Sequence, residues 1–133
     1  MEVCKKGTLL IPTGAVRHLH IVMNDPVFSP EHKRESVLLV NLSSIKEGLP
    51  YDDACVLEAG EHSFIRHPSY VHYRGAVISS VSRITDKVGL GDYTALEPVS
   101  NELYASVLKG FSVSRYTALE VMRFIRKYIS DSQ

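Results

Sequence analysis

The sequence has no tryptophan, only two cysteines, and no excess of either charge. Cys4 and Cys55 cannot make the multi-bridge framework that staples small secreted domains, so a reducing, cytoplasmic setting is the simpler expectation. Fifteen Lys and Arg balance fifteen Asp and Glu, which counts against a generic nucleic-acid binder, since such proteins tend to be basic overall. The balance leaves room for a local basic groove, because salt confines the reach of a charge to about 8–10 Å. No apolar run approaches the roughly 20 residues that cross a bilayer, so no membrane partner is expected. The polar start Met1-Glu2-Val3-Cys4-Lys5-Lys6 has no long apolar stretch behind it and does not read as a signal peptide. Repeats, low-complexity tracts and linkers are also missing. The chain is 44% apolar and 23% charged over 133 residues, which is enough to close one hydrophobic core. It reads as a single domain, 1–133.

Short apolar runs come first. Thr8-Leu9-Leu10-Ile11 is a strand stopped by Pro12 and the Thr13-Gly14 turn. Leu19–Met23 is a second strand, with Leu19, Ile21 and Met23 on one face and His18, His20 and Val22 on the other. A polar loop, Asn24–Arg34, precedes Ser36–Leu42, the most apolar strand and so a central one. The loop Ser43–Asp53 leads to a short strand, Ala54–Leu57. Tyr70–Ser79 is one long or two bent strands in which Gly75 marks a bulge. Closely spaced strands without helices between them predict a small, curved antiparallel sheet over 7–84 rather than a parallel one. Leu10, Ile21, Leu39, Val56, Val71 and Ile78 are its expected core.

Helical periodicity comes last, over 100–130. Asn101–Lys109 is opened by Ser100 and closed by Gly110. A second helix follows, in which Thr117 and Glu120 have capping-box spacing and Tyr116 and Val121 that of a hydrophobic staple. Its stripe is Ala118, Val121, Met122, Ile125 and Ile129, while Arg123, Arg126 and Lys127 lie off it as solvated cations near the helix C-terminus. The fold class is therefore α+β, a small curved antiparallel barrel with two C-terminal helices.

Five of the six histidines fall in two stretches: Arg17-His18-Leu19-His20, and the segment Glu61–Arg74 with His62, Arg66, His67, Tyr70, His72 and Tyr73. These residue types suit cleavage of RNA by its own 2′-hydroxyl. Histidine supplies the base and the acid, arginine grips the phosphoryl oxygens, and tyrosine stacks on unpaired bases. The reaction needs no metal or cofactor. The bland alternative puts the tyrosines and Val71 in the core and leaves the histidines on a loop. A metal site would use His18 and His20, completed by His62, His72 or Asp53. Cys55 reads as a core thiol rather than a nucleophile.

The order of features resembles the MazF/PemK family of toxin endoribonucleases. Gly7-Thr8-Leu9-Leu10 is similar to that family's opening Gly-Asp strand, and Arg17-His18-Leu19-His20-Ile21-Val22 to its Arg-Pro-x-x-Val-Val strand. Val37–Ser44 is similar to its apolar strand ending Pro-Leu-Thr-Ser. Ala76-Val77-Ile78 with Ser82-Arg83-Ile84 is similar to its late strand and Arg-Leu motif. His18, Asn41 and Ser43 stand where that family has proline, proline and threonine, and 53–73 has no counterpart in it. The resemblance implies an SH3-like barrel, usually a homodimer, that cleaves single-stranded RNA without a metal and is held in check by a cognate antitoxin. It implies Arg17 and Ser43 as catalytic residues; residue type and position add His18 and His62 as acid and base, and His20, Arg66, Tyr70, His72 and Tyr73 as RNA contacts. A non-catalytic barrel that binds a protein or RNA partner is the alternative.

Overall fold

The computed structural model describes residues 2–129. The outer ends of the expected 1–133 domain and residue 130 of the expected helical region lie outside that span. The first strand, β1 (Thr8–Thr13), runs through Pro12 instead of ending there, and turns through Gly14-Ala15 into β2 (Val16–Val22). Gly14 takes φ of 67° at the first loop position, the left-handed conformation that a two-residue hairpin of this kind requires. The loop expected at 24–34 contains a short strand, β3 (Val27–Ser29), which pairs with the start of β4 (Arg34–Ser44). The remaining strands are β5 (Val56–Leu57), β6 (Ser69–Ser80) and β7 (Thr94–Leu96). All pairs are antiparallel, in the order β5-β6-β4-β2-β1-β7 with β3 on β4, and the sheet curls into a half-barrel.

β6 is bent where expected. Leu39 faces Val77 but Asn41 faces His72, so Tyr73–Ala76 bulge opposite Val40. Gly75 sits in that bulge for lack of room: a Cβ there would lie 2.6 Å from the His72 ring.

Three helices accompany the sheet. α1 (Val81–Gly89) is a helix beyond the two expected at the C-terminus, and it takes in Ser82-Arg83-Ile84, the segment similar to the Arg-Leu motif. Ser80 caps it by accepting from the Arg83 N–H, and Val81, Ile84 and Val88 pack inward at helical spacing. α2 (Asn101–Val113) is opened by Ser100 as expected but continues through Gly110. The glycine is there for Tyr73, whose hydroxyl would lie 1.8 Å from an added Cβ. α3 (Leu119–Tyr128) starts without a side-chain cap. Thr117 donates to the Phe111 carbonyl (2.8 Å) instead of forming the capping box, and Tyr116 lies under the Arg74 guanidinium instead of stapling Val121.

Apolar residues pack on both faces of the sheet. One face carries Leu10, Leu19, Ile21, Leu38, Val40, Leu42, Val71 and Tyr73 under α2 and α3, where Val121 and Ile125 are buried and Met122 partly so. The other carries Leu9, Val22, Val37 and Leu39 with Val3 and Ile84. Leu39 is therefore core, but on the opposite side from Leu10 and Ile21. Ile78 is only partly buried, and Val56 is 38% exposed because Leu57, the next residue, turns inward. Burying each large apolar side chain contributes about 1.5–3 kcal/mol.

Candidate functional site

β2 and β4 pair only from His20↔Asn41 to Val22↔Leu39. Beyond that point β2 stays with β1, β4 stays with β6, and the two strands part. The cleft that opens here measures about 640 Å³, within the range of roughly 300–1,000 Å³ in which ligand pockets fall. Arg17 and His18 line it from β2, and Ser43 and Ser44 from the end of β4. Lys46 comes from the following loop, and Phe64, Arg66 and His67 from the segment that closes the far side. Arg17, Lys46 and Arg66 bring positive charge, His18 and His67 bring imidazoles, and no carboxylate is among the lining residues. The Thr13 hydroxyl engages Nδ1 of His18, which orients the ring and leaves proton exchange to Nε2. Three cations without a counter-charge attract an anion, and arginine matches a phosphate bidentately.

Four of the expected site residues thus meet: Arg17, His18, Ser43 and Arg66. Lys46 and His67 join them although no motif singled them out. They sit on loops distant in sequence from Arg17, and the only signal for His67 was its place in the histidine-rich segment.

His20, Tyr70 and His72 lie beside the cleft. On the face away from α2 and α3, cross-strand pairs run His20–Asn41–His72 and Ser43–Tyr70–Val56. His20 donates through Nδ1 to the His18 carbonyl (3.0 Å), and burial pushes its pKa below the ordinary histidine value. Tyr70 meets the His72 ring edge-on with centroids 6.1 Å apart.

His62 and Tyr73 are placed elsewhere. His62 is 5% exposed. Its Nδ1 accepts from the Phe64 N–H (3.1 Å) and its Nε2 donates to the Glu97 carbonyl (2.9 Å), the same oxygen that takes the Thr8 hydroxyl (2.8 Å). The ring therefore pins the 58–65 loop to the segment after β7, with both nitrogens occupied. Tyr73 is fully buried; it packs edge-on against Phe111 at 4.7 Å and donates to the Val107 carbonyl at 2.7 Å. Burial pushes the pKa of the phenol strongly upward. Burial likewise raises the Cys55 thiol, which is a core residue. Among the described residues no group of three His, Cys, Asp or Glu side chains is placed to hold a metal ion, so His18, His20, His62, His72 and Asp53 do not converge as a ligand set. No helix among the described residues is long and apolar enough to cross a membrane.

Compared with family models, curated proteins and solved structures, the chain matches none.

Proposed function

We propose that the cleft between β2 and β4 binds the backbone of single-stranded RNA and cleaves it without a metal. The observation that carries this reading is the convergence of Arg17, Lys46 and Arg66 with two imidazoles in a cleft lined by no carboxylate. One of His18 and His67 takes the proton from a 2′-hydroxyl. The 2′ oxygen attacks the adjacent phosphorus, the bond to the 5′ oxygen breaks, and the other histidine protonates that oxygen. The products are a 2′,3′-cyclic phosphate and a 5′-hydroxyl end. Arg17, Arg66 and Lys46 stabilise the charge that grows on the phosphoryl oxygens, and Ser43 donates a hydrogen bond to one of them. The resemblance to MazF/PemK proteins supports the same chemistry. On that model the protein is a cytoplasmic toxin, a homodimer, restrained by a cognate antitoxin.

The test is incubation of purified protein with end-labelled single-stranded RNA in the presence of a chelator. Cleavage with cyclic phosphate ends is expected. Arg17→Ala and His67→Ala should each slow it by about 10²–10³ while leaving the melting temperature in place. Wild-type protein that cuts no RNA and arrests no growth on expression would remove the enzyme and leave a barrel that binds a partner.

A further inference from the structure

Next to the cleft, on the other side of the Ser43–Tyr70 pair, lies a second hollow of about 300 Å³. Its walls are planar. The Tyr51 and Tyr70 rings lie 5.6 Å apart and 33° from parallel, and Arg74 lays its guanidinium 4.5 Å over the ring of Tyr116. Tyr51 and Tyr116 are 43% and 40% exposed, so both present aromatic surface to solvent at this hollow, with Arg115 also 6.0 Å from the Tyr116 ring centre. Aromatic and guanidinium planes are the surfaces on which unpaired bases stack. One acceptor is fixed among them. Asp52 takes the Ala54 N–H on Oδ1 (3.1 Å) and the Ser114 hydroxyl on Oδ2 (2.5 Å), which holds its carboxylate at the wall of the hollow.

We propose that this hollow is a nucleobase subsite, stacking an unpaired base whose phosphate lies in the cleft and favouring bases that present amino donors over uracil. The proposal rests on the cleft as the phosphate site, and cross-strand neighbours about 5 Å apart make the two compartments reachable by one nucleotide and its neighbour. A carboxylate accepts hydrogen bonds and cannot donate them. It therefore favours guanine, which offers two adjacent N–H groups, or the amino group of adenine or cytosine, over the carbonyl-rich edge of uracil.

The experiment is fluorescence anisotropy with labelled 2′-O-methyl tetranucleotides, which lack the attacking hydroxyl and so cannot be cut. Three tetramers are compared, with guanine, uracil or an abasic sugar at one internal position. The guanine tetramer should bind about tenfold more tightly than the abasic one. Tyr51→Ala combined with Tyr116→Ala should erase that margin without changing affinity for the abasic tetramer, and Asp52→Asn should narrow the gap between guanine and uracil. Should the double variant lose its fold by circular dichroism, the exposed single change Tyr116→Leu gives the same readout. Equal wild-type affinity for the three tetramers overturns the subsite, whatever the cleavage assay shows. If Arg17→Ala binds the abasic tetramer as well as wild type, the cleft is not the phosphate site and the proposed activity falls instead.

Discussion

The two faces of the sheet are built from the same strands and behave differently. The face under α2 and α3 is apolar along its length, from Leu10 and Leu19 through Val40 to Val71 and Tyr73. The opposite face changes character part-way along each strand. It is apolar at Leu9, Val22, Val37 and Leu39, where α1 covers it, and polar at His18, His20, Asn41, Ser43 and His72. A strand buried on both sides reads as one apolar run, and β4 does so from Val37 to Val40, up to Asn41. The break in apolar character marks where cover ends and a site can begin.

The largest break in this contrast should come from charge. Val40→Asp puts an unpaired carboxylate into the fully covered face and should unfold the protein, whereas Val77→Asp, at a position 48% exposed, should shift stability by less than about 0.5 kcal/mol. Thermal melts of the two variants make the comparison.

Gly110→Ala comes next. An alanine inside an exposed helix would gain about 1 kcal/mol over glycine. Here the methyl meets the Tyr73 hydroxyl, and overpacking costs about 1–3 kcal/mol or more, so net destabilisation is expected. Adding Tyr73→Phe should recover part of it. A more stable Gly110→Ala protein would show that the Tyr73–α2 contact is looser than described.

The third contrast is between two histidines five residues apart. His62→Ala removes a buried pin with both nitrogens bonded and should cost about 1–3 kcal/mol in urea titration. His67→Ala, at the exposed cleft, should leave stability within about 0.5 kcal/mol and act on cleavage alone.

The smallest effect is that of pH on His20. Its folded pKa is depressed, so as pH falls below the unfolded value of about 6.5 the unfolded chain binds the proton first. The stability His20 contributes is present above about pH 6.5 and is lost as pH falls through its folded pKa. His20→Gln, which keeps a donor for the His18 carbonyl, should flatten the fall in melting temperature between pH 7.5 and 5.5. An unchanged slope would assign the fall to other groups.

Much of the sheet is legible in the sequence because apolar runs and turn residues are local signals. β1, β2, β4 and the bend in β6 follow from Leu9–Ile11, Leu19–Met23, Val37–Leu42 and Gly75. α1 is less visible, since Val81, Ile84 and Val88 are only three apolar residues at helical spacing, though Ser80 before them is a capping signal. Gly110 reads as a helix stop until Tyr73, 37 residues earlier in the chain, is seen against it. The site divides the same way. Arg17, His18, Ser43 and Arg66 meet, but residue type alone does not separate a histidine that pins a loop, such as His62, from one that faces a cleft, such as His67. Lys46 could not be picked out because its role depends on where β2 and β4 part.

Both ends of the strand order are short. β5 has two residues and β7 three, so neither presents the long row of unpaired backbone groups on which another chain could build. The longer margin is that of β6 itself, because β5 covers only its first two residues, Ser69 and Tyr70, and the rest of that edge has no strand partner among the described residues. A second copy of the chain that continued the backbone pairing would find room along the outer edge of β6, not at β5 or β7.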